Sequence, residues 1–294
     1  MKSIVITSVA MLALVMGTSC GRQQDGGGDK QSGGDRQSVT IKGSDTMVHL
    51  TSTWAEMFMK AHPKVEVAVT GGGSGTGIAA LLNGTTEICA ASRKMKQKEK
   101  DLAAQKKIEP VEFVVARDGI AVVVNPDNPI DVLTLEQICK IYTGAYTNWN
   151  QVGGSDEPIG VLSRESSSGT YVFFQEHVLQ KKDYRQDARL MPATSSIIQS
   201  VSADQWSIGY VGLGYAVEAA GKVKMLGVKA DAEAAAVMPS EKTVDTGEYS
   251  IARPLHLYTA GDPKGPVKKF IDFCLGPDGQ KIVRQTGYVP VKSK

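Results

Sequence analysis

Apolar residues in the first third of the chain switch between two periods. Leu50, Trp54, Met57, Phe58 and Ala61 recur at helical spacing until His62-Pro63 ends the run, and Val65, Val67 and Val69 then alternate as a strand does. A strand over 38–42 precedes that helix, and a short helix carrying Ala79, Leu81 and Leu82 follows the second strand. Each strand is joined to its helix by a turn of small polar residues, Gly43-Ser44-Asp45-Thr46 in one case and the run GGGSGTG in the other. Strand, turn and helix repeated in this order predict an α/β fold with parallel-rich sheets and sites at the carboxyl ends of the strands.

The same reading continues along the chain. A strand over 88–91 ends in Ser92-Arg93, and a polar helix covers 97–105. Two strands, 111–116 and 120–125, flank Arg117-Asp118-Gly119, which we read as a crossover between lobes. Thr134-Leu135-Glu136-Gln137 matches a capping box and opens a helix to Tyr142. A strand over 159–162, a polar turn over 164–170 and a helix over 171–179 follow, then helices over 195–203 and 212–220. Arg253-Pro254 precedes a strand over 255–259, read as the return crossover, and helices over 266–275 and 278–285 close the chain. The domain reading is lobe 1 at 39–118 plus 253–294 and lobe 2 at 119–252, with a cleft and hinge between them.

The N-terminus changes the setting. Lys2, the apolar run from Ile4 to Val15 and the small residues Gly17-Thr18-Ser19 describe an export signal over 1–19, too short for a membrane span of about 20 residues. Cys20 behind those residues resembles a bacterial lipobox, which implies lipidation at Cys20, although Gly17 stands where that pattern prefers Leu. Residues 21–38 carry almost no apolar surface, so 20–38 reads as a flexible tether. The net charge of +2 and the lack of a basic stripe with interleaved aromatics argue against a nucleic-acid partner. Lys94, Lys96, Lys98 and Lys100 are mixed with Glu99 and Asp101, as on a solvated helix face. Cys89, Cys139 and Cys274 show no CxxC spacing and read as buried thiols, and the four His residues form no metal-ligand pattern. No metal and no cofactor is expected.

The candidate chemistry lies in the small polar runs. Gly43–Thr46, Gly73-Ser74-Gly75-Thr76 and Ser168-Gly169-Thr170 each precede a predicted helix, whose first N–H groups lack partners and carry partial positive charge. Gly allows close approach and a hydroxyl adds a neutral donor, so three such runs predict a converging oxyanion site. Arg164 stands four residues before Ser168, placed for a bidentate grip on the same ion. The GGGSGTG run matches neither a P-loop, since no Lys follows, nor GxSxG, since Thr76 occupies the last position.

The segments IKGSDTM, VTGGGSGTGIAALLNG, ASRKM, DGIAVVVNPDNP, ICKIYTGAYTNWNQVGG, SRESSSGTYVFF, SIGYVGLGYA and GQKIVRQTGYVPV carry a family likeness. Over residues 39–294 the chain resembles the phosphate-binding proteins of bacterial phosphate ABC importers. The resemblance implies a two-lobed type II periplasmic binding-protein fold that closes on one phosphate and delivers it to a permease with an ATPase. Carried over by position, Thr46 and the Met47 backbone match the first gripping turn, Ser74 the second, and Arg164, Ser168, Gly169 and Thr170 the third. Ser92 stands where some members have the proton-accepting Asp, which leaves Ser92 as a donor and Asp118 as the acceptor of the proton that phosphate keeps near neutral pH. Sulfate carries no such proton, so an ionised Asp118 would reject it; the competing reading is a hinge Asp satisfied by backbone N–H groups. The expectation is a monomeric, non-catalytic, exported lipoprotein. A phosphate sensor or surface binder without import remains an alternative, as does an exported phosphatase, for which no Ser-His-Asp or metal constellation is visible.

Overall fold

The computed structural model describes residues 37–291, so the readings of the export signal, the lipidated Cys20 and most of the tether lie outside the described residues. Chain order begins β1 (Gln37–Gly43), α1 (Val48–Ala61), β2 (Val65–Thr70), α2 (Ser74–Leu82), β3 (Ile88–Ala91), α3 (Gln97–Gln105) and the long β4 (Val111–Val124). The middle comprises β5 (Val132–Thr134), α4 (Leu135–Thr143), β6 (Gly160–Arg164), α5 (Gly169–His177), β7 (Arg189–Met191), α6 (Thr194–Ala203), β8 (Ser207–Gly212) and α7 (Leu213–Glu218). β9 (Lys224–Met225), β10 (Gly227–Lys229) and α8 (Glu241–Thr246) lead to β11 (Ala252–Thr259), α9 (Gly265–Leu275), α10 (Pro277–Gln285) and β12 (Val289–Pro290). β1 already includes Gln37, which the sequence reading assigned to the tether, and Ser38, which it placed at the join of tether and strand.

Parallel pairing follows from the strand–turn–helix units, as β1 pairs with β2 and β3, and β6 with β7 and β8. What joins the two parallel sets is antiparallel. β11 pairs with β3 and β4, and β4 with β8, giving the order β2-β1-β3-β11-β4-β8-β6-β7. The expected break at Arg117-Asp118-Gly119 is therefore absent, and β4 runs through it. β11 lies opposite from Ala252 at Gly119 to Thr259 at Val111, so ladder pairing spans this stretch and no turn forms. Gly119 answers a need for space instead, because a Cβ there would come within 2.7 Å of Val244 Cγ2.

Apolar side chains gather on either side of that ladder. One core packs Leu50, Trp54 and Phe58 of α1 against Val39 and Ile41 of β1, Phe270 of α9, and Val115 and Ala116 of β4. The other packs Tyr142, Trp149, Phe174 and Tyr210 against Ile120, Val122 and Val124. β4 thus changes core between Ala116 and Ile120, and Asp118 sits at the changeover. Cys89, Cys139 and Cys274 are buried free thiols, and burial pushes the Cys89 and Cys274 thiols well above their usual range.

Local capping follows the sequence. Thr134 Oγ1 accepts from Gln137 N–H at 3.0 Å, and Gln137 Oε1 accepts from Thr134 N–H at 2.8 Å. Thr134→Ala is expected to cost about 1 kcal/mol, read as a fall of a few degrees in thermal unfolding. An unchanged Tm would show that the cap contributes nothing.

Candidate functional site

The turn before α2 is built from glycine geometry. Gly73 sits at φ 101°, where an L side chain is strained, and a Cβ on it would meet Ser167 O at 2.7 Å. The close approach is fixed by Gly75 N–H, which donates to Ser167 O at 2.9 Å. The first turn of α2 and the loop before α5 therefore interlock, and both helices present their N-termini to one place.

Hydroxyls converge there. Ser44 Oγ donates to Ser92 Oγ at 2.9 Å, and Ser74 Oγ lies 3.3 Å from Ser92 Oγ while accepting from Ser92 N–H at 3.0 Å. Across the site, Thr46 Oγ1 and Thr170 Oγ1 are 2.7 Å apart. Gly169 joins the two groups, because a Cβ on it would stand 2.7 Å from Ser92 Oγ and closer still to Ser74 Oγ. All five hydroxyl residues are buried. Each hydroxyl has one hydrogen to give, so in pairing with one another they spend donors that an oxyanion would otherwise accept.

Charge enters as balanced pairs. Asp118 is 0 % exposed and Arg253 3 %. Asp118 Oδ2 accepts from Arg253 Nη2 at 2.9 Å and Nε at 3.2 Å, and Oδ1 accepts from Leu213 N–H at 3.0 Å. Arg253 Nη2 also donates to Thr170 Oγ1 at 3.0 Å, which ties the ion pair to the hydroxyls. Burial pushes the Asp118 carboxyl upward from its ordinary range, opposed by the Arg253 guanidinium and the Leu213 N–H. Gly212 lets this happen at close quarters, since its Cβ would meet Thr46 Cγ2 at 2.7 Å and both Asp118 oxygens at 3.2 Å.

Of the remaining candidates, Arg164 and Arg93 make no hydrogen bond to this group, whereas Ser168 and Met47 touch it through the backbone. Arg164 Nη1 donates to Thr194 Oγ1 at 2.8 Å and lies 3.3 Å from Asp45 Oδ2, Nη2 donates to Pro192 O at 2.8 Å and Nε to Met191 O at 3.1 Å. It reaches the cluster only through Asp45, the neighbour of Thr46. Ser168 caps α5, its Oγ accepting from Thr170 N–H and Tyr171 N–H at 3.2 and 3.4 Å. Met47 N–H closes the short turn onto Ser44 O at 3.0 Å. Arg93 is engaged by Glu99 through two hydrogen bonds of 2.7 and 2.8 Å.

Residues 28–278 match the model of the PBP superfamily domain. The phosphate-binding protein PstS of Pseudomonas aeruginosa is 32% identical over 282 residues, covering 90% of this chain and 86% of that protein. PstS of Staphylococcus saprophyticus is 34% identical and covers 98% of this chain and 89% of its own. A Clostridium perfringens substrate-binding protein solved with bound phosphate matches at 33% identity with a TM-score of 0.79, over 87% of this chain and 100% of that one. The chain belongs to the phosphate-binding protein family of the PBP superfamily.

For a member of this family, the sequence reading left out three residues that the structure places in the cluster. Ser44 and Asp45 lie inside the first polar run, yet only Thr46 and Met47 were singled out from it. Arg253 gave no local signal beyond preceding Pro254, because its role comes from the antiparallel register that sets it opposite Asp118.

Proposed function

We propose that this phosphate-binding family member holds one inorganic phosphate among Thr46, Ser74, Ser92, Asp118, Ser168, Gly169, Thr170 and the Met47 backbone, and delivers it to the permease and ATPase of an ABC importer. The observation that carries the reading is the convergence of buried hydroxyls and two helix N-termini beside two mutually neutralised ion pairs. Neutral donors suit a small divalent oxyanion, since they bind it without a fixed countercharge that would have to be buried alone. A micromolar complex needs about 8 kcal/mol, which several such hydrogen bonds in a dry site supply. Arg164 serves the site through Asp45, holding the Thr46 turn in place.

Asp118 supplies selectivity in this reading. An ionised carboxylate has about four acceptor positions, and Oδ1 receives only the Leu213 N–H. A second position on Oδ1 is left for the proton of phosphate, and the burial that raises the proton affinity of Asp118 favours that bond. Lobes at 39–118 plus 253–294 and at 119–252 would close over the ion about the β4–β11 ladder. The export signal and Cys20 would keep a monomer outside the cytoplasmic membrane on a lipid anchor, and we assign the protein no catalytic step.

Calorimetric titration with phosphate, sulfate and arsenate tests this. Phosphate is expected to bind with a preference over sulfate of up to about 10⁴-fold, and Asp118→Asn to erase most of that preference. Absence of phosphate binding overturns the function, and unchanged selectivity in Asp118→Asn removes the carboxylate from its role.

A further inference from the structure

Buried side-chain atoms without a hydrogen-bond partner concentrate in one place among the described residues. Four of the six, Arg93 Nε, Arg253 Nη1 and both ring nitrogens of His256, belong to residues lining a single pocket of about 600 Å³. His256 Nδ1 lies 2.9 Å from Glu112 Oε1, but out of line for a hydrogen bond. Buried polar groups are normally paired, so a concentration of unpaired ones singles out this part of the molecule. The pocket is lined by the segment after β3, by Phe173, Glu176 and His177 of α5 and by the first half of β11.

The lining fixes the chemistry of that ligand. The terminal nitrogens of Arg93 are taken by Glu99, and Arg253 Nη2 by Asp118, so those charges are largely balanced. Lys94 and Lys96 also line the pocket and make no ion pair among the described residues, and Glu176 is the one carboxylate in the lining. The remaining wall includes the apolar Phe173, Met95 and Pro254. Phe173 is stacked on His177 at 4.2 Å between centroids and lies under the Arg253 guanidinium at 5.5 Å, so the ring is held in position. The volume falls in the range of small-molecule sites, roughly 300–1,000 Å³, and is too large for one inorganic ion.

We propose that this pocket is a second ligand site, distinct from the hydroxyl cluster, for a small organic anion. Its acid group faces Lys94 and Lys96, near the Arg93 and Arg253 side chains that share the lining, and its apolar body lies against Phe173 and Met95. The site uses none of the hydroxyls assigned to phosphate and shares only Arg253, which turns Nη2 to Asp118 and Thr170.

The full chain is titrated first with phosphate and then, phosphate-saturated, with benzoate. The proposal rests on the phosphate reading only for the saturating ion. A flat first titration would count against that reading, whereas an intact first and flat second titration would count against this one alone. Benzoate is expected to bind one-to-one without displacing phosphate. The double variant Lys94→Glu/Lys96→Glu is expected to weaken benzoate about tenfold or more while leaving phosphate affinity within about twofold. Benzyl alcohol, the same body without the acid, is expected not to saturate. No saturable benzoate binding, displacement of phosphate by benzoate, equal binding of benzyl alcohol, or benzoate binding unaffected by the double variant would each overturn the proposal.

Discussion

Asp118→Ala is expected to lower unfolding stability by about 3–5 kcal/mol without ligand, because it strands a buried guanidinium. Arg253 is 3 % exposed and its Nε and Nη2 lose their carboxylate, while the Leu213 N–H loses its acceptor. Arg253→Met alone should cost a similar amount, since it leaves the Asp118 carboxylate buried with a single backbone donor. The double variant Asp118→Ala/Arg253→Met removes both charges at once, and is expected to be less destabilised than the sum of the singles by at least about 2 kcal/mol. Urea unfolding in phosphate-free buffer measures this, because bound ligand would add its own stabilisation. Buried pairs are little screened, so the coupling should survive high salt, whereas the exposed Lys60–Glu56 pair contributes little at any ionic strength. Strict additivity of the two singles would show that the pair is not coupled.

The pair owes its geometry to register. β4 and β11 run antiparallel with Arg253 directly opposite Asp118, so the two side chains leave the same face of the ladder. That face lies between the two cores, next to Gly212 and the α5 N-terminus. A carboxylate held by a fixed strand, a backbone N–H and a guanidinium has little freedom to turn, which is what a selective acceptor requires.

Most helices could be read from the sequence because their apolar spacing and caps are local. α1, α3, α4, α9 and α10 fall within a few residues of the predicted bounds. β8 escaped because SIGYVG is buried along its whole length and mixes small polar with apolar residues, so no period-two alternation marks it. The sequence reading splits β4 because a charged pair followed by Gly resembles a turn, while the pairing that keeps it continuous comes from a strand more than a hundred residues away. The same distinction runs through the site. Ser74, Thr46 and Thr170 sit in or beside turns that carry glycine and announce themselves locally, whereas Ser92, with no glycine near it, stands out only through the family likeness. Arg253 meets Asp118 across 135 residues, which no local pattern encodes. Arg164 shows the converse, since four residues separate it from Ser168 in sequence but β6 directs its guanidinium to Asp45, Thr194 and two backbone carbonyls.

Gly169→Ala is expected to weaken phosphate binding by about 100-fold or more, equivalent to at least about 2.7 kcal/mol. The added methyl must stand 2.7 Å from Ser92 Oγ and nearer to Ser74 Oγ. Neither hydroxyl can swing far, because Ser74 opens α2 and accepts the Ser92 N–H, while Ser92 is held by Ser44. Helix propensity argues the other way, since Ala is favoured over Gly by up to about 1 kcal/mol inside a helix. Gly169 lies at the first turn of α5, where that gain is smaller, and overpacking a tight contact costs about 1–3 kcal/mol. Crowding therefore outweighs propensity, and the hydroxyls move apart at the point where both groups of donors meet. The check is a phosphate titration of the folded variant, with circular dichroism to confirm the fold. Wild-type affinity in Gly169→Ala would mean that the Ser74 and Ser92 hydroxyls do not face the ion together with Thr170.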